Sequence, residues 1–180
     1  LIDAQGSVLN SGEIALVVAN NANAYALERA KKAGIPTAVV LKKECGSQEA
    51  FEEKLKEVLT EYGIEVIILA GFMTILTEQF TSCYPKRILN VHPSLIPSFC
   101  GEGFYGLRVH EEALKYGVKV TGATVHFVNE IPDGGEIIAQ KAVYIEPGDT
   151  PETLQRRVME QAEWILLPQA AETVCAGLQK

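Results

Sequence analysis

No stretch of this 180-residue chain carries the roughly 18 to 20 consecutive apolar residues that a bilayer-spanning helix needs. The N-terminus has no basic segment leading into an apolar one, so neither a membrane span nor an export signal is expected. The four cysteines, Cys45, Cys83, Cys100 and Cys175, make no CxxC pair and no recognisable disulfide framework. A reducing, cytoplasmic setting is the simplest expectation. With no HxxxH, HExxH or Cys/His cluster, no metal site is expected. Positive charge is also short: the formal net charge is −7. Broad binding to nucleic acid or to an anionic membrane, which needs a basic face, is disfavoured. Small anionic ligands remain open, held by local Arg, Lys or backbone donors. Repeats, low-complexity tracts and linkers are absent too, and with 47% hydrophobic residues the length suits one compact domain spanning residues 1–180.

What the chain does contain is alternation. Ile14 to Val18, Thr37 to Leu41 and Val66 to Ala70 are short continuous runs rich in β-branched residues, the pattern of strands buried on both faces of a parallel sheet. Between them, Ala24 to Ala33 and Gln48 to Tyr62 carry helix formers at helical spacing, each closed by a glycine, Gly34 or Gly63. The βαβα order predicts a doubly wound α/β layer. A fourth run, Ile88 to Val91, ends in His92-Pro93. Later, Val118 to Val128 and Glu136 to Tyr144 flank Pro132-Asp133-Gly134-Gly135, which has the turn chemistry of an antiparallel hairpin or of a loop between neighbouring strands. Thr150 to Ala176 opens with Thr-Pro-Glu and predicts one long amphipathic helix. At the other end, Leu1-Ile2-Asp3-Ala4 reads as helix.

Ligands of open α/β sheets bind beyond the carboxyl ends of the strands, so polar residues that end an apolar run come first. Asn90 and His92, two apart on an extended segment, project to the same side. Pro93 strengthens this by holding His92 away from helical geometry. The pair suits acyl transfer: an imidazole can move a proton near neutral pH while an amide donates to a developing oxyanion. Asp133 is the best candidate to orient the imidazole. By residue type alone a strand-end histidine such as His92 is more often structural than catalytic, and Asp133 is as readable as turn chemistry. Ser94 lacks the G-x-S-x-G setting of a nucleophile. Cys100 is a loop thiol without an activating neighbour in sequence. His126, on a strand face with Thr124, reads as packing or support, and His110 opens a helix at or near a pocket.

These blocks resemble glycinamide ribonucleotide formyltransferases over essentially the whole chain. The resemblance runs through Leu69-Ala-Gly-Phe-Met-Thr-Ile-Leu76, Ile88-Leu-Asn-Val-His-Pro-Ser-Leu-Ile-Pro97, Val120-Thr-Gly-Ala-Thr-Val-His-Phe-Val128 and Asp133-Gly-Gly135, in family order and spacing. It implies a Rossmann-like, three-layer αβα fold whose sheet is mostly parallel with an antiparallel C-terminal portion. It also implies transfer of the formyl group of 10-formyltetrahydrofolate to the amine of glycinamide ribonucleotide, without metal or covalent intermediate. His92 would be the proton shuttle, Asn90 the oxyanion donor and Asp133 the orienting carboxylate. Folate would lie against Leu69, Met73, Thr74, Ile75 and Leu76, with backbone from Asn129 to Asp133, and beside Asn90. Arg87 and Glu163 would face the ribonucleotide, Glu163 toward its amine, although by type they are a strand-edge arginine and a helix-surface glutamate.

The family pattern begins with a strand and a glycine- and serine-rich phosphate loop that this sequence does not contain, so the domain is expected to lack them. Within the superfamily, formyltetrahydrofolate hydrolases carry an extra N-terminal domain and methionyl-tRNA formyltransferases an extra C-terminal one. The hydrolase and a non-catalytic folate- or nucleotide-binding module are the alternatives. The expected partners are small molecules, with the protein a monomer or homodimer. Gln48 and Thr74 stand where some relatives have arginines suited to the glutamate carboxylates of folate. Shortening the polyglutamate tail should therefore weaken binding here less than in arginine-bearing relatives, as a titration with mono- and polyglutamylated folates would measure.

Overall fold

The β-branched runs of the first half become short strands paired in parallel. In the computed structural model, which describes residues 1–179, two compact units are distinguished. The first, Ile2–Glu65, pairs β1 (Val17–Ala19) with β2 (Thr37–Val39) in parallel through helix α1 (Tyr25–Lys32). Only three residues of each run find a partner, so both strands are shorter than their apolar patterns. After a single turn, α2 (Lys42–Cys45), comes α3 (Gln48–Glu61), started by Ser47, whose side chain accepts the Ala50 N–H. Phe51, Leu55 and Leu59, four residues apart, form its buried stripe. The opening residues are a 3-10 turn, Ile2–Ala4, rather than an α-helix.

The second unit begins at Val66 and includes Leu1. Its sheet has the order β3-β4-β5-β6: Ile67–Leu69, Ile88–His92, Val120–Phe127 and Ile137–Tyr144. β3 and β4 are parallel, linked by the short helix α4 (Glu78–Thr81), whereas β5 lies antiparallel to both β4 and β6. The mixed α/β architecture, parallel pairing followed by an antiparallel C-terminal portion, agrees with the expectation. Helix α5 (Leu107–Tyr116) separates β4 from β5 and ends at Gly117 in the left-handed conformation, the usual glycine C-cap.

The long C-terminal helix is interrupted. α6 (Pro151–Val158) starts in a reciprocal cap between Thr150 and Thr153, then widens into a π-helical turn, Met159–Glu163, before α7 (Trp164–Leu178). In the wide turn the Trp164 N–H reaches the Met159 carbonyl, five residues back. Within α7, Pro168 cannot donate to the Trp164 carbonyl and crowds it. Leu154, Val158, Ala162, Leu166, Leu167 and Ala170 of this stretch pack with Leu89, Ala123, Val125 and Val143 of the sheet as one buried cluster. None of the described helices is long and apolar enough to cross a membrane.

The link from β6 into α6 is held by one guanidinium. Arg157 donates to both Asp149 carboxylate oxygens, at 2.5 and 2.7 Å, and to the Tyr144 carbonyl at 3.2 Å. Asp149 also accepts the Glu146 N–H and the Thr153 hydroxyl. These contacts, led by the Arg157 hydrogen bonds, hold the Asp149 carboxyl at about 2, against an ordinary value of 3.8. Such a depressed pKa stabilises the fold above the unfolded-state value and ceases to do so as pH falls through the folded-state one. Arg157→Ala is expected to lower unfolding free energy by about 1–3 kcal/mol near neutrality. In urea titrations that difference should hold above pH 3.8 and shrink toward pH 2.

Candidate active site

Antiparallel pairing with β5 sets the site at the end of β4. Asn90 lies opposite His126, and His92 opposite Thr124, so four polar side chains share one face of two strands. Just beyond, at Val125/His126, the β5–β6 register shifts: Val125 pairs with Ala139 but His126 with Ile137. A bulge of this kind re-aims the neighbouring side chain.

Asp133 comes from the loop between β5 and β6. It is a non-glycine residue with φ of +55°, a conformation Asp tolerates better than most. Behind it, Gly135 passes so close to β5 that a Cβ would lie 1.7 Å from the Phe127 carbonyl oxygen, so no other residue fits. The Asp-Gly-Gly sequence is thus both turn chemistry and the device that aims a carboxylate. One oxygen, Oδ2, accepts the Gly101 N–H at 2.9 Å and lies 3.4 Å from His92 Nδ1. The other, Oδ1, lies 3.5 Å from His126 Nε2. Burial alone would raise this carboxyl, but His126, the Gly101 N–H and the charge of His92 together outweigh it and keep the group below its ordinary value. Asp133 is therefore an anion at neutral pH.

The histidines have assigned faces. His92 Nε2 donates to the Phe99 carbonyl at 2.8 Å, which leaves Nδ1 toward Asp133. His126 Nδ1 donates to the Phe127 carbonyl at 2.8 Å, so in the neutral ring Nε2 accepts from the Asn90 amide at 3.3 Å. That bond orients Asn90 and leaves the other amide N–H uncommitted to His126. His126, first readable only as packing or support, touches both Asn90 and Asp133, and the signal for it is the cross-strand register across 36 residues. His110 is fully buried on α5, and both its ring nitrogens lack a hydrogen-bond partner. Burial first, and then the charge of His92, pushes it down to about 4, so it stays neutral.

Two potential nucleophiles are committed elsewhere. Ser94 donates its hydroxyl to the Ser98 carbonyl at 2.5 Å and is fully buried. Burial, helped by the Asp133 charge, raises the Cys100 thiol, which keeps it protonated and unreactive.

Beside these groups lies a cavity of about 120 Å³. Leu69, Met73, Thr74, Ile75, Leu76, Asn90, Asn129 and Asp133, all singled out from the sequence, line it, together with Phe72, His126, Val128, Ile131 and Pro132. Met73, Ile75 and Ile131 stand 58%, 59% and 57% exposed, leaving apolar surface that a flat ring system would cover. His92 itself does not line the cavity; it is 4% exposed and sits behind Asp133.

Arg87 and Glu163, expected to face the ribonucleotide rather than the folate, lie outside this cavity. Arg87 precedes β4 at the end opposite His92, about 16 Å away along an extended strand, because the carboxyl end alone faces the cavity. Glu163 ends the π-helical turn, which packs against β5 and β6, and it does not line the cavity. Burial raises its carboxyl to about 7. Among the described residues, no group of three or more His, Cys, Asp or Glu side chains could hold a metal ion.

The "Formyl transferase" family model matches residues 1–170. The chain is 45% identical over 177 residues to the trifunctional purine biosynthetic protein adenosine-3 of Gallus gallus, covering 98% of the chain but 17% of that relative. It is 41% identical to the phosphoribosylglycinamide formyltransferase of Haemophilus influenzae, covering 89% of the chain and 74% of the relative. The crystal structure of glycinamide ribonucleotide transformylase 1 from Symbiobacterium toebii superposes with a TM-score of 0.90 at 38% identity, over 98% of this chain and 80% of that one. The chain thus spans about a sixth of the trifunctional relative and about three-quarters of the bacterial one. With a family model matched over most of its length and relatives well above 30% identity, the chain belongs to the formyl transferase family.

Proposed function

We propose that the chain transfers the formyl group of 10-formyltetrahydrofolate to the amine of glycinamide ribonucleotide, a step of de novo purine biosynthesis. The observation that carries this reading is an amide donor and an anionic carboxylate at one rim of an apolar cavity, with an imidazole directly behind the carboxylate and no free nucleophile beside them. An enzyme with that equipment does not form an acyl-enzyme. It brings two substrates together and manages charge and protons.

In this reaction the amine nitrogen forms a bond to the formyl carbon, the bond from that carbon to N10 of the folate breaks, and one proton passes from the attacking to the leaving nitrogen. Asn90, with one amide hydrogen given to His126, directs the other at the formyl oxygen as negative charge develops there. His92 handles the proton at Nδ1, since Nε2 is committed to Phe99. Asp133 stabilises the imidazolium that forms across their 3.4 Å separation. The exposed faces of Met73, Ile75 and Ile131 receive the pterin, and the backbone from Asn129 to Asp133 supplies its polar edge. Glu163 serves the amine of the ribonucleotide, where a carboxyl poised near 7 accepts a hydrogen bond or a proton without demanding a fixed charge. The four cysteines, all free thiols, support a cytoplasmic setting. The formal charge of −7 supports small molecules rather than nucleic acid as partners.

His92→Ala is expected to lower transfer by about 10²- to 10⁴-fold while leaving formylfolate affinity nearly unchanged, because a proton shuttle acts in the transition state. Equal loss of binding and turnover, by calorimetry and an initial-rate assay, would assign His92 a structural role instead. For Glu163, the raised pKa means that stability is full below the ordinary value of 4.5 and is lost as pH rises through about 7. Denaturant titrations should find Glu163→Gln more stable than the parent by about 1–3 kcal/mol above neutrality, the gap closing at acid pH.

A further inference from the structure

Phe99 lies in the loop after β4 with φ of +49°, a left-handed conformation that a bulky residue adopts only when its surroundings impose it. The peptides around it tie two active-site groups together. The Phe99 carbonyl accepts from His92 Nε2 at 2.8 Å, and two residues on the Gly101 N–H donates to Asp133 Oδ2 at 2.9 Å. Since that same Oδ2 lies 3.4 Å from His92 Nδ1, the loop closes a circuit from one face of the imidazole to the other. Upstream, the loop is fastened by Ser94, which donates to the Ser98 carbonyl, and by Thr124, which donates to the Ser94 carbonyl and accepts the Ile96 N–H.

These bonds secure the approach to Phe99 but not its own φ. The Phe99 ring supplies that restraint: it meets the ring of Phe104 at 6.3 Å and, edge-on at 76°, the ring of Tyr116 at 6.0 Å. Both separations fall in the range of favourable tilted aromatic pairs. Tyr116 is the last residue of α5, and its side chain is otherwise open to solvent, with the residue 81% exposed. A glycine at position 99 would adopt the same φ at less cost, yet it would offer no ring to hold the carbonyl in place.

We propose that Phe99 is a positioning residue for the transfer reaction: pinned by Phe104 and Tyr116, its backbone carbonyl locks His92 with the proton on Nε2 and with Nδ1 facing Asp133. This rests on the reaction proposed above. It assigns the outlying Tyr116 a function that neither its exposure nor its place at a helix end suggests. A ring free to exchange tautomers would spend part of its time with Nδ1 protonated and unable to take a proton at the atom that faces Asp133.

The test is nitrogen-15 NMR of the histidine side chains together with steady-state kinetics, on the parent, Tyr116→Ala and Tyr116→Phe. In the parent, His92 should show a single neutral tautomer with protonated Nε2. In Tyr116→Ala the signal should move toward a tautomer mixture and kcat should fall on the order of three- to tenfold, with the KM for formylfolate within about twofold. Tyr116→Phe, which keeps the ring, should restore both. An unchanged tautomer signature in Tyr116→Ala, with or without lost activity, overturns the proposal. If the parent shows no transfer at all but the tautomer responds as described, the reaction assignment fails while the lock stands.

Discussion

The candidate site depends on the antiparallel register between β4 and β5. Sliding it by one residue would turn Asn90 and His92 away from His126 and Thr124, because side chains alternate across a strand. The register is defended on both faces. On one, Leu89, Ala123 and Val125 are buried in the main apolar cluster. On the other, Thr124 bonds the loop after β4, and Gln140 of the neighbouring strand adds bonds to Thr124 and to the Ile96 carbonyl. Polar groups so enclosed are costly to leave unpaired, which makes a slipped register unfavourable on the site face as well as in the core.

From that register follows a division of labour among charges. Asp133 is the fixed anion, held ionised against its burial by the two histidines beside it and the Gly101 N–H. His126 uses both ring nitrogens on structure, one on the Phe127 carbonyl and one on the Asn90 amide. His92 has one nitrogen committed and one facing the carboxylate. His110, neutral and without a partner at either nitrogen, adds no positive charge near His92. In the proposed reaction His92 is the imidazole that moves the proton, which suits a transfer with one proton to pass.

Much of this is legible in the amino-acid sequence. Continuous apolar runs read as parallel strands, since both faces of such strands are buried and no alternation survives. Asn90 and His92 could be placed on one side at a strand end from spacing and Pro93 alone, and the residues of the 69–76 block that line the cavity were readable through family resemblance. Less legible were strand lengths, since a residue counts as strand only where a partner backbone lies alongside it. The wide turn at Met159–Glu163 also escaped, because helical periodicity barely changes when one turn gains a residue. Nearness in sequence likewise does not say that β4 carries Arg87 and His92 to opposite ends of the strand.

The sequence by itself determined the α/β class and the chemical types available for acyl transfer, because these follow from local pattern and residue chemistry, and its resemblance to a family pointed to the residues that line the cavity. Tertiary structure alone decided that Asp133 meets His92, that His126 meets Asn90 and that the Phe99 carbonyl meets His92 Nε2. Each of those contacts joins residues through strand register or a left-handed backbone turn, and both are set by how distant segments pack rather than by any neighbour in the chain.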